Sequence, residues 1–529
     1  MLESIRIIGY KGFKDFKASF MNGVNVLVGD NETGKTTILE AINLVLSGQV
    51  FGRSIFSEVS PYMFNKENVQ EFIRSIGEKE CRPPKIVIEA TFVENDITSR
   101  YRGINNLDRV DIPGVSMVID IDQAYAEEYV QYIEQKKDVT SVPTEFYGIS
   151  WTFFSGNPVG LRGGEFKSTY IDSSNIRFAT GSDRFINKVV NDTLTEKEKA
   201  RLSIEYRKLR ESFSRMDEVK NINDNLVIKG KLVTNKDFKV SVDISAKSGW
   251  DTVLIPYLDE IPFQFIGMGE QSRLKIGFAL NSSMEKASIF LIEEPENHLS
   301  YSNMASLINR ISEMCEGRQV IISTHSAFVL NKLGIDRLHL LRNCRIINLN
   351  KLDPITVSYF KKLPGYDTLR MVLANKIILV EGPTEELIVQ RLYLDKHCHL
   401  PISDGIDIIS VRGLAFKRFL EISRELKIST SVITDNDGKP GKVIDKYKEF
   451  ETIPEIKICF PTDERITTLE IAIVECNDLD SLNKVFKKKY SSKKDIIEYM
   501  LANKTEWALK VFECDFNIEY PEYIKNVIG

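Results

Sequence analysis

One eight-residue segment limits the fold more than any other: Gly29-Asp30-Asn31-Glu32-Thr33-Gly34-Lys35-Thr36. It satisfies G-x-x-x-x-G-K-[ST] and lies between the apolar run Val24 to Val28 and a helical pattern at Thr36 to Leu46, with Ile38, Leu39, Ile42 and Leu46 on one face. A strand that feeds a glycine loop opening a helix aims backbone N–H groups at phosphate, which requires an α/β core around it. Gly29, Asn31, Gly34, Lys35, Thr36 and Thr37 are the candidate nucleotide-binding residues. In that role Lys35 neutralises β/γ-phosphate charge and Thr36 holds Mg²⁺.

A partner motif lies far downstream. Ile289 to Ile292 is a short apolar run ending in Glu293, Glu294 and, after Pro295, Glu296. Carboxylates at the end of a buried strand suit nucleotide hydrolysis, with Glu293 orienting hydrated Mg²⁺ and Glu294 polarising the attacking water. Gly267-Met268-Gly269-Glu270-Gln271-Ser272 opens a further helix-like stretch, and Ser323-Thr324-His325-Ser326 follows the next apolar run. In this order the set resembles ATPase heads of the ABC type found in the SMC, Rad50 and RecF group. The resemblance implies that Gly269 and Gln271 act on the ATP of another subunit and that His325 contacts the γ-phosphate. The signature is GMGEQ rather than the serine-glycine-glycine-glutamine of transporters, and the charged helical insertion at 193–221 is too short for SMC-like arms. Gln70 is a weak candidate for the glutamine that normally follows the P-loop helix.

A second acidic site follows a stretch at 349–375, which contains Pro354 and Pro364-Gly365 and reads as a connector. Lys376 to Val380 is a strand ending in Glu381, with Glu385 opening the next helix, and Val432-Ile433-Thr434 ends in Asp435-Asn436-Asp437. Ligands collect at that end of an open parallel sheet, and carboxylates without His or Cys select Mg²⁺ or Mn²⁺. A D-N-D-G segment also makes a tight turn before Gly438; Glu381 at a neighbouring strand end favours the metal reading. Paired ions ~3.5–4 Å apart are the usual device for phosphodiester displacement.

The E-G-x-x-E and D-x-D pair, with Gly413 after the intervening strand, resembles the Toprim domain. A Toprim domain behind an ABC-type ATPase resembles the OLD (overcoming lysogenisation defect) family of ATP-dependent endonucleases. Within that family's pattern Glu470 resembles a late metal ligand and Lys504 a late catalytic lysine. The resemblance also implies anti-phage defence, an accessory defence protein or a reverse transcriptase with its msDNA as partner, and a homodimer or larger oligomer formed through the ATPase heads. The competing reading is a RecF-like DNA repair or binding factor without nuclease activity.

The expected architecture is therefore α/β throughout: an ABC-type P-loop ATPase domain over 1–348 with the helical insertion at 193–221, a connector, and a Toprim domain with parallel sheet and C-terminal helical part over 376–529. The 529 residues accommodate both. Lys+Arg 70 against Asp+Glu 75 gives a net charge of -5, which excludes a wholesale polycation, so DNA contact must be local. The densest basic run, Lys484 to Lys494, carries Lys487, Lys488 and Lys489 interleaved with Phe486 and Tyr490; Arg162, Lys167, Arg177 and Arg184 form a sparser stretch. Seven scattered cysteines with no C-x-x-C pair suggest neither disulfides nor zinc, and no apolar run reaches the ~20 residues of a membrane span. A cytoplasmic protein without membrane contact is the expectation.

Overall fold

The computed structural model describes residues 1–50, 53–76, 81–134, 139–160, 168–172, 194–231, 236–242, 250, 254–282, 289–314, 317–363, 367–411, 413 and 415–528. Arg162, Lys167, Arg177, Arg184, Thr193 and Pro364-Gly365 lie outside them.

The chain begins with strands β1 (Leu2–Tyr10), β2 (Phe13–Ser19) and β3 (Val24–Gly29), then helix α1 (Lys35–Ser47). Strands β4 (Ile86–Phe92), β5 (Ile112–Ile121) and β6 (Tyr147–Phe153) join β1 and β2 in an antiparallel sheet of order β2-β1-β4-β5, with β6 also on β5. A second sheet takes β3 together with β7 (Ser168–Asp172), β8 (Ile289–Glu293), β9 (Gln319–Ser323), β10 (Leu338–Arg342) and β11 (Arg345–Asn348), in the order β7-β8-β9-β3-β10-β11. All its neighbours run parallel except the final hairpin.

Strand β8 shows why these runs are uniformly apolar. Ile289 and Leu291 enter the core around α1 and the antiparallel sheet, whereas Phe290 and Ile292 enter the core on the opposite face. Successive side chains of a strand point to opposite faces, so a strand covered on both sides loses polar alternation.

The insertion forms two helices, α2 (Glu196–Ser214) and α3 (Asp217–Gly230), and the second runs past the expected end at 221. Thr195 and Glu198 close a capping box at the start of α2, which fixes the helix boundary. Leu202, Tyr206, Leu209 and Phe213 recur at helical spacing along α2, and of these Leu202, Leu209 and Phe213 are exposed. Helix α4 (Met268–Ser282) then leads back towards β8.

The stretch expected as a connector is folded into the body of the protein. It forms α5 (Pro354–Lys362) and α6 (Thr368–Leu373), whose Phe360, Met371 and Val372 are fully buried in the hydrophobic core that also holds Phe290 and Leu340. Thr368 donates to Asn331 Oδ1 at 2.6 Å, and Arg342 donates to the carbonyls of Leu373 and Ala374. On the other side Arg418 donates to Thr356 at 2.9 Å. The same core continues into Ile377, Leu379, Val411, Phe416 and Val432.

Beyond it come β12 (Lys376–Val380), α7 (Pro383–His397), β13 (Ile406–Ser410), β14 (Ser429–Ile433), α8 (Pro440–Tyr447), β15 (Ile456–Cys459), α9 (Leu469–Cys476), α10 (Lys504–Glu513) and α11 (Glu522–Ile528). The third sheet has the order β13-β12-β14-β15 and is parallel throughout. No helix among the described residues is long and apolar enough to cross a membrane.

Candidate active sites

The first site forms where β3, β8 and β9 end beside the N-terminus of α1. Gly34 caps α1 with φ 104, and a Cβ there would come within 2.5 Å of the Phe13 ring, so only glycine lets the loop pass. Lys35 is almost wholly buried and donates to the carbonyls of Gly29 and Asp30 at 2.7 and 2.8 Å. Burial lowers its pKa, while Glu294, Asp30 and Glu293 act in the opposite direction. Its ammonium therefore stands within the loop whose backbone N–H groups suit phosphate. Thr36 donates to Glu293 Oε1, uniting the two expected Mg²⁺ residues. Asn31 and Thr37 stand in the loop and first turn of α1, where the spacing places them.

Tyr170 and Asp172 were not foreseen. Tyr170 donates to Glu293 Oε2 at 2.5 Å, and Asp172 pairs in register with Glu293 across β7 and β8. Gln70, by contrast, is exposed on the helix Lys66–Ser75. The strand end next to the acidic strand therefore carries Asp172. Burial raises the pKa of Glu293, offset by the hydroxyls of Thr36 and Tyr170 and reinforced by Asp172 and Glu294.

Glu294 adopts φ 43, a left-handed conformation that non-glycine residues rarely take. Its carboxylate accepts from Asn297 Nδ2 at 2.7 Å and lies 3.5 Å from His325 Nε2. Burial, then Lys35, lowers the His325 pKa, so the ring is neutral near pH 7. Glu296 holds the histidine loop, accepting from Thr324 Oγ1 at 2.7 Å and from the His325 N–H at 2.6 Å. At Gly269 a Cβ would come 2.3 Å from the His298 carbonyl, which explains the glycine by packing inside one subunit. Gln271 is 2% exposed and donates to the Ile266 carbonyl at 2.7 Å, so here its side chain faces its own subunit.

The second site lies at the carboxyl ends of β12 and β14, neighbouring parallel strands. Glu381 Oε1 accepts from Thr434 Oγ1 at 2.7 Å and from the Asp435 N–H at 3.1 Å, tying the two strand ends together. Glu385 accepts from the Gly382 N–H at 2.9 Å, so it caps α7 as well as facing the cluster. Glu470, 2% exposed near the start of α9, joins them. Burial first, then Glu381, Glu385, Glu470 and Asp437, raise the Asp435 carboxyl to about 8. Asp437 has φ 46.

Five carboxylates in one electrostatic neighbourhood repel one another, and a divalent cation is the species that relieves the conflict. Among the described residues no three acidic, histidine or cysteine side chains stand together closely enough to hold a metal ion as placed, so the five carboxylates share a field without forming a finished ligand set. Buried hydroxyls with no hydrogen-bond partner among the described residues, those of Tyr447, Thr468 and Tyr523, belong to this region and fit a polar occupant.

Lys504 is exposed at the start of α10, and no carboxylate of the cluster is among its hydrogen-bond or ion-pair partners in the described residues. A lysine within the field of Glu381 and Asp437 is Lys446 on α8, whose pKa is lowered by burial, with Glu381 and Asp437 opposing and Lys417 adding to the shift. In the basic run, Lys487, Lys488 and Lys489 are all exposed, and Lys488 lies 4.1 Å from the centre of the Tyr499 ring and 5.7 Å from that of Tyr490.

Comparison with known proteins follows the same division. A family described as "AAA domain, putative AbiEii toxin, Type IV TA system" matches residues 24–331, more than half of the chain, and "Overcoming lysogenization defect protein-like, TOPRIM domain" matches 372–437. Endonuclease GajA of Bacillus cereus (strain VD045) is 22% identical over 82% of this chain and 75% of its own length. Septu protein PtuA of Bacillus thuringiensis is 23% identical over 64% of this chain and 75% of its own length. The DNA double-strand break repair Rad50 ATPase of Methanopyrus kandleri is 43% identical over 10% of this chain and 6% of its own length. With the P-loop and acidic strand inside the first match and Glu381, Asp435 and Asp437 inside the second, the chain belongs to this AAA-domain family and carries behind its ATPase head the Toprim domain of OLD proteins.

Proposed function

We propose that the protein is an ATP-controlled, divalent-metal-dependent DNA endonuclease of OLD type that serves anti-phage defence. The observation that carries this reading is the convergence of Glu381, Glu385, Asp435, Asp437 and Glu470, with Asp435 retaining its proton to about 8. A repair or binding factor has no use for so costly a concentration of like charge, in which Glu470 is buried, Glu381, Glu385 and Asp435 are half-buried and Asp437 is exposed. The similarity to an endonuclease and to a Septu protein supports the defence role.

In this reading Glu381, Glu385, Asp435, Asp437 and Glu470 hold Mg²⁺ or Mn²⁺. A divalent ion held by these residues would supply a more acidic water and counter-charge for the scissile phosphate. The chain's own contribution is orientation: Thr434 and the Asp435 N–H fix Glu381 against the neighbouring strand, and the Gly382 N–H fixes Glu385. Lys504 stabilises the departing oxygen once DNA is seated. At the other site Lys35 leaves its two carbonyls for the phosphates, Thr36 and Glu293 orient Mg²⁺, and Glu294 polarises water beside a neutral His325. Gly269 and its neighbours meet the nucleotide of a second copy, so ATP promotes association of the heads.

Supercoiled plasmid with Mg²⁺ or Mn²⁺, with and without ATP, tests the reading. Glu381→Ala and Asp435→Ala are expected to lose cleavage by at least ~100-fold while hydrolysing ATP normally. Full cleavage by both variants would overturn it. In infection assays Lys35→Ala and Glu381→Ala should each lose protection relative to the unmodified protein, and equal protection by all three rejects the defence role.

A further inference from the structure

The last helix of the chain reaches the acidic cluster. Helix α11 packs against β14, β15 and α7, the elements that carry or flank Asp435 and Glu385. Ile524, Val527 and Ile528 anchor it in the core beneath the third sheet. This anchoring buries the Tyr523 hydroxyl completely, and the hydroxyl has no hydrogen-bond partner among the described residues. The charged groups acting on it are the carboxylates of Asp435, Glu385 and Glu470, and the thiol of Cys476 lies in the same field.

Burying a phenol hydroxyl without a partner is unfavourable, and phenylalanine in the same place would avoid that cost. The aromatic body alone therefore does not account for a tyrosine here. A hydroxyl can donate to a carboxylate oxygen or to a water of an ion's hydration layer, and such outer contacts orient metal-binding carboxylates.

We propose that Tyr523 is a positioning residue of the divalent-cation site, its hydroxyl donating to the carboxylates or the bound water that surround the ion. The inference rests on the reading of the acidic cluster as a cation site, and it makes the C-terminal helix part of that site. The carboxylates in its field belong to three parts of the fold: Asp435 just past the end of β14, Glu385 on α7 and Glu470 on α9. Removing the hydroxyl relaxes the orientation of these carboxylates and leaves the packing of the ring in place.

Mn²⁺ titration of the full chain, followed calorimetrically without DNA or nucleotide, measures the effect directly. Tyr523→Phe is expected to weaken Mn²⁺ binding by ~10–100-fold. Without metal its thermal unfolding should be unchanged or slightly higher, since an unpartnered buried hydroxyl is gone. Unfolding with saturating Mn²⁺ gives a second readout: the variant should gain less from the ion than the unmodified protein. If Tyr523→Phe binds Mn²⁺ as tightly as the unmodified protein while Asp435→Ala does not bind, Tyr523 only packs, and the cation site stands without it. If the unmodified protein itself binds no Mn²⁺, the cation-site reading falls, and this inference falls with it.

Discussion

Asp435 and His339 titrate abnormally in opposite senses, and the two effects separate by pH. Burial and four neighbouring carboxylates raise Asp435 from 3.8 to about 8, so between those values the metal-free folded protein keeps a proton that the unfolded chain has released. Stability from this group falls as pH rises through that window, by at most about 1.4 kcal/mol per pH unit. His339 is fully buried with Nε2 2.8 Å from Asn25 Oδ1, and burial lowers it from 6.5 to about 4. Its contribution is lost as pH falls from 6.5 through 4. Above pH 6.5 only Asp435 of the two is active, so unfolding in a chelator from pH 6.5 to 8 should show a falling midpoint that Asp435→Asn flattens. An identical slope in both proteins would remove the assignment. Because a cation must displace the same proton, Mn²⁺ affinity should improve by up to about tenfold per pH unit until pH 8.

At the scale of elements, α5 and α6 replace a supposed connector. Phe360 on α5 is fully buried and meets Phe419 edge-on with ring centres 5.2 Å apart. Phe360→Ala should therefore cost about 3–5 kcal/mol, read as a lower urea midpoint, and it should loosen the ATPase and Toprim regions together, since both border this core. Destabilisation confined to one of them would contradict a common core. These short helices were hidden in the sequence because Pro354 and Pro364-Gly365 read as breaks, although proline is at home in the first turn of a helix, where Asp353 caps it. The P-loop, β8, β12 and β14 were legible because strands buried on both faces are compact apolar runs followed at once by chemistry. Tyr170 and Asp172 were not, because a five-residue edge strand has no distinctive period and its importance comes from pairing with β8, more than a hundred residues away. Tyr523 was invisible for the same reason, since nothing local to α11 announces Asp435. Leu202, Leu209 and Phe213 read as one face of a helix, and their exposure depends on what that face packs against, which periodicity does not determine.

For the whole molecule, ATP occupancy and the association of copies should be linked through Glu294. Glu294→Gln keeps the side chain's shape and its hydrogen bond from Asn297 but cannot polarise water as a carboxylate does. With ATP and Mg²⁺ this variant should accumulate as a dimer or larger species in sedimentation, while Lys35→Ala remains at its nucleotide-free size. No nucleotide dependence in either would break the link. The continuous core through α5 and α6 gives that link a mechanical meaning. Among the described residues Phe360, Met371 and Val372 pack motor and cutter into one hydrophobic core. If ATP pairs the heads as proposed, it would set the spacing of one cutter from another, as the handles of pliers set the gap between the jaws.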